Sequence, residues 1–419
     1  MKPLGLFPPT HAAALARVAA VRPADYARSR NAIDGAATQL SPYITHGFVS
    51  LPEVLAGVAA RHRLDVQHKF VFELGWREYF RHVWQHRGDE ILHSLHDGLL
   101  PDHGYATELP ADIRQARTGV PAIDMAVRTL YATGTLHNHA RMWLASYVVH
   151  LRKVHWRVGA DWLVVHLLDG DLASNHLSWQ WVAGTGSSKP YLFNAENVAR
   201  YAPPAWHSTG TVIDCSYETL DAMARSERPV RAAPLGEGVE EPAVWKVPPG
   251  MITAPPQAAD VAGRDVWLAH PWALGEPHAD QPEGCVRVGL WPAEHHATWP
   301  WSGARWAFVG ERMASLTSVR WYANRESLTQ ALAGARSVQT LANPHVSGLL
   351  PDCVMQHAPM HLFADVGHSC HSFSTWWNRT MRGVKSLGDL PGLTALGARG
   401  ATAPAHDAVT APAVGPTPP

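Results

Sequence analysis

Four short patches bring together side chains whose types and spacing could do chemistry. In TQLSPYITHG, Thr38 and Ser41 offer hydroxyls beside a proline-marked turn able to open a helix, a setting that suits a phosphate. An ordinary cap followed by a helix is the plainer reading of the same residues. ELGWREYF sets Glu73, Trp76 and Arg77 at i, i+3 and i+4, so that carboxylate, indole and guanidinium share one helical face. That face is either a solvated salt bridge or one wall of a polar-bottomed aromatic pocket for a planar ligand. LHNHARM repeats the spacing with Asn138, Arg141 and Met142, and LLDGDLASNHLSWQW carries Asp169, Asp171, Asn175, Trp179 and Trp181. The two acids flanking Gly170 lack the third oxygen ligand and terminal Glu of an EF-hand, so no metal is expected there. Asp169 and Arg141 are expected as buried partners, because either charge alone in so apolar a setting is costly. Trp179 and Trp181, two positions apart on a helix, point about 200° away from each other and must serve different roles.

The elements that must hold these patches are helices. Residues 11–206 are dominated by helical periodicity, clearest in FVFELGWREYFRHVWQH, PAIDMAVRTLYATG, HARMWLASYVVHLRKV and ADWLVVHLLDG. From 207 to 262 the density of Pro and Gly reads as a linker. Beyond it DVWLAHPWAL, VRVGLWP, SVRWYA and SVQTLA alternate with helix-compatible stretches, which predicts a small α/β domain with a parallel sheet over 263–385. SFSTWWNRTMRG reads as a further aromatic helix or a linker, and 386–419, rich in Ala, Pro, Gly and Thr, as a disordered tail. The expectation is therefore a multidomain α and α/β chain: a helical domain at 1–206, the linker, the α/β domain and the tail.

Composition narrows the class. At 419 residues the chain has room for two or three domains, and its net charge of −1 argues against crude electrostatic capture of nucleic acid by the whole molecule. The charge is unevenly spread: residues 1–206 hold 20 Lys and Arg against 17 Asp and Glu, leaving 15 against 19 for the rest, so the first half suits phosphate better. The four cysteines form no C-x-x-C pair, and no apolar run reaches the length of a membrane span, which together predict a cytoplasmic, monomeric protein without membrane contact. The cluster Cys353, His357, His361, His368, Cys370 and His371 contains soft ligands, but its spacing fits no standard zinc pattern, and no metal is expected. Eighteen tryptophans are unusual, since Trp is normally reserved for cores, stacking surfaces and interfaces.

Read together, YARSRNAIDGAATQLSPYITHG, ELGWREYFRH, GVPAIDMAVRTLYATGTLHNHARM and HLLDGDLASNHLSWQW resemble, in order and spacing, the FAD-binding domain of the DNA photolyase/cryptochrome family over residues 11–206. The resemblance implies an all-helical photolyase-type FAD-binding domain. It implies that Tyr26, Thr38, Gln39, Leu40 and Ser41 hold the FAD phosphates and ribityl chain. Arg77, Arg141, Asp169, Gly170 and Asp171 would surround the flavin, with Asn175 beside its reactive central-ring nitrogen. Glu73, Trp76, Asn138, Met142 and Trp181 match the pocket for an extruded pyrimidine dimer, Trp76 and Trp181 as its walls. The implied activity is light-driven splitting of cyclobutane pyrimidine dimers in UV-damaged DNA by an electron from excited reduced FAD, in a deoxyribodipyrimidine photolyase-like lyase. The alternative is a cryptochrome-like blue-light photoreceptor signalling through the C-terminal domain.

This chain also departs from the family pattern. Of the three tryptophans that normally lead electrons to the flavin, Trp179 and Trp156 match the inner two, and Tyr105 is the nearest aromatic to the missing outer one. The basic residue beside Asn138 is His139, and Arg30 and Lys189 remain as phosphate contacts, so single strands, which need no base-pair opening, are expected to be favoured. The family's α/β domain should precede residue 11. The region at 263–385 resembles a relocated copy of it, a reading that requires a doubly wound sheet; the alternative is an unrelated partner-binding module.

Overall fold

The computed structural model describes residues 6–234, 236–250 and 253–402. Helices occupy the first half because its apolar residues recur at helical spacing and its caps are in place. Ser50 and Glu53 close a capping box around the helix Leu51–Ala59. Asp171 accepts from Ser174 N at the start of Leu172–Ala183, and Gly134 ends Pro121–Thr133 in the left-handed conformation. The short helix Ser41–Thr45 carries the first patch, and the 19-residue helix Lys69–Arg87 with the helices Asn138–Ser146, Trp156–His166 and Leu172–Ala183 positions the other three.

Seven strands follow: β1 (Val244–Trp245), β2 (Asp265–Ala269), β3 (Val286–Pro292), β4 (Trp301–Ser302), β5 (Val319–Ala323), β6 (Ser337–Leu341) and β7 (Val354–His357). β1 and β4 form a short antiparallel ribbon, and the other five form an all-parallel sheet in the order β5-β3-β2-β6-β7. The central strands β2 and β3 read as near-continuous apolar runs because both faces are covered. Counted along the chain the order is third, second, first, fourth, fifth, so the doubly wound requirement is met, and the switch point lies between β2 and β6. The fold is thus a helical unit followed by an α/β unit.

Two expectations are corrected. The stretch at 207–262, expected as a bare linker, carries the helix Tyr217–Arg225 and β1. It is docked: Lys153 Nζ donates to the carbonyls of Met223 and Ala224, and Glu241 accepts from Arg114 Nη1 (2.9 Å) and Trp162 Nε1 (2.9 Å). The stretch at 386–419, expected as a disordered tail, forms the helix Pro391–Thr402, which packs on Leu51–Ala59. Residues 403–419 lie outside the described residues. SFSTWWNRTMRG resolves in favour of a helix, Phe373–Thr380. All four cysteines are free, and no helix among the described residues is long and apolar enough to cross a membrane.

The two units share an interface. Phe48 of the helical unit stacks on Phe308 (5.1 Å, 2°), and the His46 ring lies between the carbonyls of Pro271 (2.6 Å from Nδ1) and Leu168 (2.9 Å from Nε2). The buried Glu78 carboxylate accepts from the backbone of Leu362 (2.5 Å) and Phe363 (3.0 Å). Burial raises its pKa to about 7 against the pull of those hydrogen bonds.

Candidate functional site

The helix Lys69–Arg87 presents its cluster as the spacing predicts, with partners that the spacing did not name. Glu73 lies 2.9 Å from Lys69 Nζ and 3.3 Å from Arg30 Nη1, so two cations hold one carboxylate at the edge of the site. Trp76 stacks face to face on Phe373 of the α/β unit, with ring centroids 4.0 Å apart and planes 8° from parallel. Arg77 Nη1 donates to Thr45 Oγ1 (3.1 Å), which in turn donates to the Asp169 carbonyl (3.4 Å). One guanidinium therefore ties the Ser41–Thr45 helix to the loop at 168–172.

Arg141 closes that loop from the other side. Its Nη2 lies 2.9 Å from both Asp169 oxygens, and its Nε donates to the Leu136 carbonyl (2.8 Å). The expected pairing is present. On the same helix Asn138 is exposed, with its amide 3.5 Å from Met142 Sδ. His139 is half-buried beside Arg30, and burial followed by that positive charge lowers its pKa, so it is neutral at pH 7.

Asp171 is the most constrained group. Oδ1 accepts from Ser174 N and Ser174 Oγ, each at 2.9 Å, whereas Oδ2 is buried without a hydrogen-bond partner, 4.0 Å from both Arg81 Nη2 and His345 Nε2. Burial pushes the carboxyl up, but Arg81, Arg77 and the Ser174 hydrogen bonds outweigh it and hold the pKa below the usual range. Four guanidinium groups, Arg77, Arg81, Arg141 and Arg305, thus surround two carboxylates, Asp169 and Asp171. The nearby histidines add no charge: burial brings His46 and His295 to a pKa of about 3 and His345 well below its ordinary value. Arg305, lowered to about 9 by burial, stays protonated at neutral pH. The excess of cations favours an anionic ligand.

Asn175 is buried one turn further on, and its Nδ2 donates to the Ala160 carbonyl (2.9 Å). Upstream, Tyr26 packs edge-on against Phe70 (5.7 Å), and Thr38 Oγ1 accepts from Leu40 N (3.4 Å). Gln39 holds a left-handed backbone (φ 52°), with its Oε1 accepting from Arg17 (2.7 Å). Leu40 is buried and Ser41 opens the short helix. A non-glycine residue in that conformation marks a turn fixed by its surroundings.

The tryptophans separate as helical geometry requires. Trp179 is 2% exposed and Trp181 is 43% exposed. Trp156, also buried, donates from Nε1 to Ser94 Oγ (2.9 Å). Tyr105 approaches it through His155, with ring centroids 6.1 Å from Tyr105 to His155 and 5.7 Å from His155 to Trp156. Arg30 lies at the Glu73 edge, and Lys189 is exposed just beyond the Leu172–Ala183 helix.

A cavity of about 430 Å³ opens beside Arg77 and Arg81, at the carboxyl ends of β2 and β6, where Trp272 and Asn343 line it. Among the described residues no cluster of His, Cys, Asp and Glu is placed to hold a metal ion. Sequence reasoning missed Arg81, Arg305, His345 and Lys69. Arg81 and Lys69 had a signal, each lying four residues along the helix from a residue already singled out. Arg305 and His345 had none.

Residues 70–207 match the model of the FAD binding domain of DNA photolyase. A deoxyribodipyrimidine photo-lyase of Streptomyces griseus is 38% identical over 168 residues, 39% of this chain and 36% of that protein. A cryptochrome DASH of Idiomarina loihiensis is 29% identical over 216 residues, 49% of this chain and 48% of that protein. Among solved structures, a Synechocystis cryptochrome is 25% identical with a TM-score of 0.42, covering 54% of this chain and 53% of its own. The chain spans half or less of the length of these curated relatives.

Proposed function

Because the chain belongs, through its helical unit, to the photolyase/cryptochrome family, we propose that it is a light-dependent DNA-repair flavoprotein that splits cyclobutane pyrimidine dimers. The cofactor is FAD. The residues present fit it on two counts. Four guanidinium groups against two carboxylates leave positive charge for a diphosphate and an anionic reduced ring. The unpartnered, buried Oδ2 of Asp171 is an acceptor whose desolvation costs about 1–3 kcal/mol unless a donor such as the flavin imide N–H meets it. Tyr26, Thr38, Gln39, Leu40 and Ser41 would hold the phosphate and ribityl end. Arg77, Arg141, Asp169, Gly170 and Asp171 would hold the ring, and Asn175 would offer its amide oxygen to the ring nitrogen it faces.

When bound and reduced, FAD supplies a light-excited electron donor. The chain's own residues then bind and orient the lesion. Trp181, exposed beside Tyr191, and Trp76, backed by Phe373, would form apolar walls for a flipped dimer, with Asn138 and Met142 at its rim. Glu73 would hydrogen-bond the dimer. Lys69 and Arg30 offset its charge, so negative charge developing on the dimer does not meet a bare carboxylate. Trp179, Trp156 and Tyr105 would serve electron supply. With His139 neutral, Arg30 and Lys189 carry the phosphate contacts, which favours single-stranded DNA.

The carrying observation is the Arg141–Asp169 and Asp171 arrangement within a segment that matches a FAD-binding domain. The test is illumination of photoreduced protein with thymine-dimer oligonucleotides, single- and double-stranded. Dimer loss in blue light and not in darkness, abolished by Trp181→Ala with FAD retained, is expected. Retained FAD without dimer loss would sink the repair reading. It would favour a blue-light receptor, a reading supported by the grip of the C-terminal unit on the loop at 168–172.

A further inference from the structure

The loop Asp169–Leu172, which the reading above places around the flavin, is held from behind by side chains of the other unit. Arg305 Nη2 donates to the Gly170 carbonyl (2.5 Å) and Nη1 to the Val164 carbonyl (3.4 Å), while its guanidinium lies 3.9 Å over the Trp301 ring. The approach depends on Gly170 having no side chain, since a Cβ there would fall 2.5 Å from Arg305 Nη1. His345 accepts from Leu172 N at Nε2 (3.4 Å), and its Nδ1–H donates to Asn343 Oδ1 (2.9 Å). Its ring is clamped between Trp272, stacked at 4.3 Å, and Trp84, edge-on at 4.6 Å. That pose puts Nε2 4.0 Å from the unpartnered oxygen of Asp171. Both residues are almost wholly buried.

We infer that Arg305 and His345 are positioning residues of the flavin site, so that FAD is held in register only while the α/β unit is docked behind the Asp169–Leu172 loop. Arg305 acts through backbone, fixing the Gly170 carbonyl and hence the plane of the peptide between the two carboxylates, whereas His345 fixes the first amide of the Leu172–Ala183 helix and also stands 4.0 Å from the Asp171 oxygen proposed to meet the flavin. The inference rests on FAD being the ligand, and it makes a two-unit site of what the motifs present as a one-unit site.

The test uses the full-length protein and three readouts: FAD affinity by quenching of flavin fluorescence, the fine structure of the bound flavin's visible band, and far-ultraviolet circular dichroism. His345→Leu should weaken FAD about tenfold and blur the band while the fold is kept. His345→Gln, whose amide oxygen reaches the Nε2 position, should stay within about threefold of the parent. Arg305→Lys should behave like His345→Leu. Trp377→Leu, which loosens the interface at the Phe72 contact and not at the loop, should leave FAD affinity unchanged. Folded His345→Leu and Arg305→Lys with parental affinity and spectrum would overturn the inference, as would an equal loss in Trp377→Leu, because that would mark a general loosening. Should one loop-facing variant fail to fold, the other decides on the same readouts, and His345→Gln losing as much as a folded His345→Leu also counts against it. A parent protein that binds no FAD would overturn the cofactor assignment itself, a different result from variants that bind it equally well.

Discussion

Arg141→Met is the perturbation that tests the site most directly. In the parent protein the Asp169 carboxylate, 7% exposed, meets a guanidinium nitrogen 2.9 Å from each oxygen. Removing the guanidinium leaves a buried carboxylate, and breaking a buried pair from one side costs about 3–5 kcal/mol. Arg141 keeps 27% of its side chain exposed, so water entering from that side lowers the expected cost to the bottom of the range, about 3 kcal/mol. Asp169→Asn alone should cost less, about 1–2 kcal/mol, because a neutral amide retains one hydrogen bond to Arg141. The double variant is decisive: with no charge left to strand, it should be more stable than Arg141→Met alone, giving a coupling energy of about 1.5–3 kcal/mol. Urea unfolding followed by circular dichroism, without FAD so that ligand binding adds nothing to stability, measures all four corners of the cycle. Additive costs, or a loss below about 1 kcal/mol for Arg141→Met, would refute the buried-pair argument.

Two further outcomes follow from the same structure. Glu241, held by His166, Arg114 and Trp162 against the raising effect of burial, has a pKa lowered from 4.5 to about 2. A depressed carboxylate contributes stability that is present above pH 4.5 and lost as pH falls towards 2; discounted for its 27% exposure this is about 2 kcal/mol. Acid unfolding of Glu241→Gln should lack that component between pH 4.5 and 2, and an identical slope in parent and variant would contradict the docking of the 207–262 stretch. Gly159→Ala would place a Cβ 2.3 Å from the Trp179 ring, so it should destabilise the protein by about 1–3 kcal/mol and slow light-driven flavin reduction; an unchanged melting temperature and bleaching rate would show that Trp179 is not fixed there.

What was legible in the sequence is what lies close along the chain or must be paired for physical reasons. Glu73, Trp76 and Arg77 share a helix, so their common face followed from spacing, and the Arg141–Asp169 pair followed from the cost of burying either charge alone. The opposed directions of Trp179 and Trp181 needed only helical geometry. The 207–262 stretch misled because Pro and Gly mark turns whether or not the turns are docked. Leu220 and Ala224 are nevertheless buried, and Lys153 reaches across to cap their helix. Arg305 and His345 left no local trace: their partners Gly170 and Leu172 are 135 and 173 residues away. Phe373, which backs Trp76, is likewise visible only once the chain has folded back.

Those distant contacts decide what kind of neighbour the α/β unit is. A module that swings free needs an interface that separates cheaply, polar at its surface and modest in area. Here separation would strip Arg305 from two carbonyls, part Trp84 from the His345 ring, and expose the Glu78 carboxylate now capped by two backbone amides. Each of those groups is buried, and a buried polar group deprived of its partner is costly until water reaches it. The docked arrangement is therefore the resting one, and the placement of the α/β unit after the helical unit in the chain has no bearing on it, since contact and not connectivity holds the loop. Any signal passed from a bound flavin to the C-terminal unit would have to travel by a shift of the Asp169–Leu172 backbone against Arg305 and His345, not by release of the unit. Light-dependent changes in hydrogen exchange should then concentrate at 164–172 and 343–346 and spare the β5 edge of the sheet.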